Sequence, residues 1–153
     1  MEKRIAVFPG SFDPITKGHE SIIRRALPLF DEIIIGIGNN TSKTYFFPLQ
    51  RRESFINKVF EGEQKIKVLQ YSGLTVNFCR DNSARFILRG LRTSADFEFE
   101  RGIAQMNYSM ASEVETIFIV SEPSLSHISS TIVRDILFHK GDVSAFIPKG
   151  VIV

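Results

Sequence analysis

The chain has 153 residues, of which 43% are hydrophobic and 24% charged, a composition typical of globular proteins and unlike disordered or fibrous ones. A net charge of +2 without a Lys/Arg block does not indicate nucleic-acid binding. Cys79 is the only cysteine, which excludes an intrachain disulfide and suits a reducing compartment. No apolar run has the length of a signal peptide or of a membrane helix. We therefore predict one cytoplasmic domain over residues 1–153, without membrane or nucleic-acid partners.

Short β-branched runs alternate with helical patterns along the chain. In chain order we predict strand 5–8, helix 20–30, strand 32–38, helix 49–60, strand 66–71, helix 74–80, strand 85–88, helix 94–110, strand 116–120 and helix 129–139. Pro28 is expected to kink or end the first helix. This alternation predicts an α/β fold, namely a Rossmann-like, doubly wound parallel sheet of five strands with helices on both faces.

Ligands of such sheets bind beyond the carboxyl ends of the strands. The segment FPGSFDPITKGHESI follows the first predicted strand. Gly10 allows the backbone to approach a bulky ligand, and Ser11 adds a hydroxyl. Gly18 and His19 open a helix, where free N–H groups attract anions. A phosphate contact by His19 is one interpretation, and a capping turn with an exposed histidine is the other.

Three further segments come after predicted strands, at 39–47, 89–93 and 121–131. Lys43 lies on a polar loop, where a lysine is usually just solvated. Arg89 and Arg92 suit forked binding of phosphate oxygens, although pairing with nearby acidic residues explains either arginine equally well. Hydroxyls at residues 129–131, with Arg134 one turn later, exceed what capping of one helix requires. His127 is equally well explained as a plain loop residue.

Together these segments predict a crevice for several phosphate groups, lined by a histidine, a lysine, up to three arginines and two helix N-termini. The sequence lacks the groups that other chemistries need, since it contains no Cys/His cluster for a metal, no G-x-S-x-G elbow for a nucleophilic serine and no close carboxylate pair for glycoside hydrolysis.

The same residues resemble a known family. TKGH at 16–19 and ISSTIVR at 128–134 are similar to the two signatures of the T/H-x-G-H nucleotidyltransferase superfamily. With SK at 42–43, RGLR at 89–92 and DFEFE at 96–100, the resemblance narrows to the phosphopantetheine adenylyltransferase family. It extends from about residue 4 to residue 148.

This resemblance implies transfer of the adenylyl group of ATP to 4′-phosphopantetheine, which gives dephospho-coenzyme A and pyrophosphate in the penultimate step of coenzyme A biosynthesis. It also implies Mg²⁺ held mainly by ATP phosphates and water, coenzyme A as a feedback ligand, and a homohexamer. Implied catalytic residues are Ser11, His19, Lys43 and Arg89. Implied ATP contacts are Ser11, Phe12, His19, Gly90, Leu91, Arg92, Glu100, Leu125, Ser126, His127, Ile128, Ser129, Ser130 and Thr131. Implied acceptor contacts are Ser11, Lys43, Leu74, Thr75, Arg89, Met106 and Asn107.

A phosphate monoester has a second pKa of about 6, so this nucleophile is mostly dianionic at neutral pH and needs no general base. The expected task of the site is to offset repulsion between anions and to align them. Two alternatives are a nucleotidyltransferase of the same fold with another phosphate acceptor, and a non-catalytic nucleotide-binding regulator.

Overall fold

The computed structural model describes all residues, 1–153, and contains one parallel sheet of five strands with five α-helices. The strands are β1 (Ile5–Gly10), β2 (Glu32–Gly38), β3 (Ile66–Tyr71), β4 (Phe86–Leu91) and β5 (Glu115–Val120). The helices are α1 (Lys17–Ala26), α2 (Leu49–Val59), α3 (Thr75–Asp81), α4 (Ser94–Met110) and α5 (Ser130–Phe138). Short 3₁₀ turns cover Leu27–Leu29 and Pro123–Leu125.

The strand order is β3-β2-β1-β4-β5, and all neighbours are parallel. This order reverses between β1 and β4, as in a doubly wound sheet, so the predicted fold class is confirmed. All four isoleucines of β2 are buried, because this strand has a neighbour on each side and a helical layer on each face.

Two apolar cores lie on opposite faces of the sheet. The larger core joins sheet residues such as Phe8 and Ile35 to the buried faces of α1, α2 and α5. The smaller core joins Val7 and Ile34 to α3. Cys79 is buried in this smaller core, and burial raises the pKa of its thiol to about 11, so it behaves as a small hydrophobic residue.

Several predicted boundaries were wrong. The first helix begins at Lys17 instead of residue 20, because Thr16 caps it, and it ends at Ala26, ahead of the 3₁₀ turn that contains Pro28. The predicted end of β4 at residue 88 is three residues early, since pairing with β5 continues to Leu91. The other helices and strands match the prediction to within two residues. None of the helices combines the length and apolarity that a membrane crossing requires.

Candidate active site

The sheet opens between its two central strands. β1 pairs with β4 only at Ala6 and Val7, whereas β1 continues along β2 to Gly10 and β4 continues along β5 to Leu91. Pro9 has no N–H to donate, and its carbonyl accepts a hydrogen bond from Arg89 Nη1 at 2.5 Å. The separation of the strands produces a cleft at the point where the strand order reverses, which is where α/β sheets bind ligands.

Two adjoining cavities occupy this cleft, and the residues that line both are Pro9, Gly10, Ser11, Arg89 and Glu100. The larger cavity, about 700 Å³, extends over β2 and β3 toward the loop after β2 and toward α4. The smaller cavity, about 340 Å³, extends over α1 and the N-terminus of α5. We call them the β2-side cavity and the α1-side cavity. The two cavities therefore adjoin at a wall that includes Ser11 and Arg89.

Most residues that the resemblance implies for ATP lie together around the α1-side cavity. The lining residues from that set are Ser11, Phe12, His19, Gly90, Arg92, Glu100, Ile128, Ser129, Ser130 and Thr131. Four others, Leu91, Leu125, Ser126 and His127, do not line it. The ring of His127 instead lies edge-on to Phe146, with the ring centres 6.3 Å apart.

The residues implied for the acceptor gather around the β2-side cavity, which is lined by Ser11, Lys43, Thr75, Arg89 and Asn107. Leu74 and Met106 do not line it and are exposed. The four segments predicted from the sequence therefore meet in one cleft.

His19 occupies the third position of α1, where it takes part in a reciprocal cap. Nδ1 of His19 accepts the backbone N–H of Thr16 at 3.0 Å, and the backbone N–H of His19 donates to Thr16 Oγ1 at 3.4 Å. An Nδ1 that accepts carries no proton, so the neutral ring carries its proton on Nε2. Burial, with Arg89 and Arg92 nearby, lowers the pKa of His19 from 6.5 to about 4. At neutral pH His19 is therefore an uncharged hydrogen-bond donor.

Both predicted arginines of the RGLR segment have acidic partners. Arg89 donates to the Glu100 carboxylate from Nε at 3.0 Å and from Nη2 at 2.6 Å. Arg92 donates to Asp96 from Nε at 3.2 Å. The interpretation as ion pairs is thus confirmed for both, and these pairs also fix the guanidinium groups at the cleft.

The hydroxyls at the start of α5 have partners within the protein. Ser129 caps the helix by accepting from Ile132 N at 3.2 Å, and Ser130 donates to the Pro14 carbonyl at 2.9 Å. Thr131 accepts from Arg134 Nη2 at 3.3 Å. Only the Ser130 hydroxyl donates its proton to a protein acceptor, whereas Ser129 and Thr131 accept in these contacts and keep their O–H donors. The helix still presents its positive end to the α1-side cavity.

Two basic side chains at the cleft have no acidic partner. Lys43 is exposed on the loop after β2, and its ammonium group makes no hydrogen bond or ion pair. Arg134 donates only to the Asp13 carbonyl and to the Thr131 hydroxyl. One unneutralised cation therefore faces each cavity, which attracts anionic ligands to both.

Sequence reasoning missed three residues at the cleft, namely Asp13 and Tyr45, which line its cavities, and Arg52, which lines neither. Asp13 is buried and accepts the backbone N–H groups of Phe46 and Phe47 at 2.7 and 2.8 Å. Arg52 is buried on α2, beneath Tyr45. The helical period was a usable signal, because position 52 shares the buried face of α2 with Phe55 and Ile56.

No group of three or more His, Cys, Asp or Glu side chains is placed to hold a metal ion. The carboxylates at the α1-side cavity already have protein partners: Asp13 binds two amides, Asp96 binds Arg92, and Glu100 binds Arg89. A divalent cation at this cleft would therefore depend on oxygens that a ligand brings with it.

Comparisons with known proteins agree with this geometry. The profile of the Cytidylyltransferase-like family matches residues 7–136. A bifunctional NMN adenylyltransferase/ADP ribose pyrophosphatase from Francisella tularensis shares the fold, with a TM-score of 0.72 at 17% identity over 95% of this chain and 45% of that chain. The protein is accordingly a nucleotidyltransferase of α/β fold.

Two curated relatives define the family more closely. Phosphopantetheine adenylyltransferase of Christiangramia forsetii is 54% identical over 94% of both chains. Phosphopantetheine adenylyltransferase of Flavobacterium johnsoniae is 52% identical over 97% of both chains. At this similarity over nearly the whole length, the chain belongs to the phosphopantetheine adenylyltransferase family.

Proposed function

We propose that the protein transfers the adenylyl group of ATP to 4′-phosphopantetheine and releases pyrophosphate, with dephospho-coenzyme A as the other product. The observation that carries the proposal is the pair of cavities that meet at Ser11 and Arg89. ATP binds in the α1-side cavity, where two helix N-termini lie, and the acceptor binds in the β2-side cavity beside Lys43. The shared wall then brings the acceptor phosphate to the α-phosphate of ATP.

The reaction forms a bond between an acceptor phosphate oxygen and the α-phosphorus. The bond from that phosphorus to the oxygen that bridges to the β-phosphate breaks, and its electron pair leaves with pyrophosphate. No proton has to be removed, because the attacking phosphate has a second pKa of about 6 and is mostly dianionic at pH 7. The barrier lies in bringing two anions together in line, so catalysis consists of charge offset and alignment.

Each group at the junction has a part in that task. The Lys43 ammonium, free of any acidic partner, offsets the charge of the acceptor phosphate. Arg89, fixed by Glu100 and by the Pro9 carbonyl, directs its remaining N–H groups to the reacting phosphates. The Nε2–H of His19 donates to the α-phosphate oxygen on which charge develops, and the neutral ring does so without changing its protonation state.

The departing phosphates are held at α5. The positive end of this helix and the Arg134 guanidinium face the same cavity as His19. Mg²⁺ enters as part of the substrate, bound by the ATP phosphates and water, and supplies further charge offset there. This assignment is consistent with carboxylates that are already bound to amides and arginines.

The exposed apolar stripe of α4 supports the homohexamer that the resemblance implies. α4 has no buried residue, and Phe99, Ile103 and Met106 are 70%, 43% and 64% exposed. A contiguous apolar face of this kind usually marks an interface. Sedimentation equilibrium tests the proposal, since six chains of 17.4 kDa are readily distinguished from one. The same proposal includes coenzyme A as a feedback ligand of the enzyme. It also includes a cytoplasmic location for the protein.

One turnover assay separates the proposal from its alternatives. Pyrophosphate release is measured with ATP or CTP as donor, and with 4′-phosphopantetheine, nicotinate mononucleotide or no acceptor. The proposal expects release only with ATP and 4′-phosphopantetheine together. Release with another acceptor favours a different nucleotidyltransferase, and tight ATP binding without turnover favours a regulator.

A further inference from the structure

The most deeply buried charged side chain of the protein is Arg52, which is 1% exposed on α2. It takes part in none of the ion pairs of the chain. Burial of a cation without a paired carboxylate is costly. The hydrogen bonds of the guanidinium explain why a charged side chain is buried here.

The guanidinium hydrogen-bonds to three segments at the base of the cleft. Nη1 donates to the Ser11 carbonyl at 2.7 Å and to the Gly38 carbonyl at 3.4 Å. Nε donates to the Phe47 carbonyl at 3.1 Å. One rigid planar group thus connects the loop after β1, the end of β2 and the segment before α2.

Arg52 also supports the loop that carries Lys43. Its guanidinium carbon lies 4.0 Å from the centre of the Tyr45 ring, within cation–π range. The Tyr45 hydroxyl accepts the backbone N–H of Asn40 at 3.0 Å, and the Asn40 carbonyl accepts the backbone N–H of Lys43 at 3.0 Å. The Lys43 side chain has no partner of its own, so the loop holds only its backbone and with it the region that the ammonium group can reach.

Asp13 holds the same loop through complementary groups. Its carboxylate accepts the N–H groups of Phe46 and Phe47, while Arg52 donates to the carbonyl of Phe47. Asp13 and Ser11 belong to the same short loop after β1. The loop with Lys43 is therefore bound to the loop with Ser11 by both a buried cation and a buried anion.

We propose that Arg52 is a positioning residue. It fixes the Lys43 loop relative to Ser11 and Arg89, and so places Lys43 where the acceptor phosphate binds. Its catalytic consequence rests on the proposed adenylyl transfer. Arg52 lines neither cavity and so acts through the position of Lys43 rather than by touching a substrate.

A double-mutant cycle tests this coupling. Arg52→Lys keeps the charge and loses the fork that reaches three carbonyls. We expect it to lower kcat/KM for 4′-phosphopantetheine by about 10- to 100-fold, the size that a small misplacement of a binding group produces. In the Lys43→Ala background the same substitution is expected to cost less than about threefold, because the group that it misplaces is already absent.

The matched control is Arg51→Lys on the same helix. Arg51 lies over the rings of Phe47 and Phe55, with its guanidinium carbon 5.2 and 5.1 Å from their centres, but it makes no hydrogen bond to the cleft segments. We expect this variant to leave kcat/KM for the acceptor within about twofold of the wild type. A thermal unfolding curve for each variant shows whether the fold is retained.

Amide hydrogen exchange gives a readout that does not depend on activity. In Arg52→Lys we expect at least about tenfold faster exchange at residues 40–47, with the amides of β3 unchanged. If Arg52→Lys does not fold, Tyr45→Leu breaks the same link at the loop and takes its place in both experiments.

The outcomes are distinct. A loss in kcat/KM that is equal in the two backgrounds overturns the inference, and so does unchanged exchange at residues 40–47. If the wild type does not transfer the adenylyl group to 4′-phosphopantetheine, the proposed function fails, while the exchange experiment still decides whether Arg52 holds the Lys43 loop.

Discussion

Arg89 and Glu100 form a two-point ion pair, with N–O distances of 3.0 and 2.6 Å, at the wall that the two cavities share. Both carboxylate oxygens of Glu100 are thereby bound to a protein group. The resemblance implies that Glu100 contacts ATP, whereas this geometry indicates that it orients Arg89.

Glu100→Gln distinguishes these two roles. Because the amide cannot hold both guanidinium nitrogens as an anion does, we expect kcat to fall by about tenfold while KM for ATP stays within about threefold. Steady-state kinetics measure both, with the exposed Glu98→Gln on the same helix as control. An increase in KM for ATP at unchanged kcat would show that Glu100 contacts the nucleotide directly.

Thr16→Val is expected to lower the free energy of unfolding by about 1 kcal/mol, the usual effect of losing an N-cap hydroxyl. The Thr16 side chain is buried, so the similar size of valine limits other changes. Urea unfolding measures the effect, and Thr16→Ser, which keeps the hydroxyl, serves as control. Equal stability of the valine variant and the wild type would show that the cap contributes little to α1.

The lowered pKa of His19 predicts how acid affects stability. Its pKa of about 4 in the folded chain lies below the usual 6.5, so the neutral ring stabilises the fold above pH 6.5, and this contribution is lost as the pH falls toward 4. His19→Gln lacks it. We therefore expect the unfolding free energy of the wild type to fall more steeply from pH 7 to pH 4.5 than that of the variant. Identical slopes would contradict the burial of a neutral ring.

Lys43→Ala is expected to act mainly on the acceptor. The substitution removes the unpaired cation of the β2-side cavity, so KM for 4′-phosphopantetheine rises by at least about tenfold and KM for ATP changes by less than about threefold. Lys58→Ala, at an exposed site near the far end of α2, is the control. A rise in KM for ATP alone would contradict the prediction, because it would show that Lys43 binds the nucleotide and not the acceptor.

The fold and much of the site were predictable because they depend on local patterns. Apolar runs and helical periods identify every strand and helix, and the carboxyl ends of parallel strands gather the segments with His19, Lys43 and Arg89 in one place. The sequence left the partners of Arg89 and Arg92 open, since carboxylates follow at positions 96, 98 and 100 and nothing in the sequence selects among them.

Arg52 shows what sequence reasoning cannot reach without three-dimensional contacts. Its carbonyl partner at Ser11 is 41 residues away in the chain, and backbone carbonyls have no signature in a sequence. The protonation of His19 also depends on three-dimensional contacts, namely the N–H of Thr16, the partial burial of the ring and the nearby Arg89 and Arg92.

The central claim is that His19 acts as a neutral hydrogen-bond donor and transfers no proton. The most direct test is kcat for His19→Ala and His19→Gln, with the exposed His139→Ala as control. The alanine variant is expected to lose roughly 10²- to 10³-fold in kcat with little change in ATP affinity. Glutamine retains an N–H at about the reach of Nε2, so its kcat is expected to exceed that of alanine by at least about tenfold. Equal kcat values for the two variants would contradict the account.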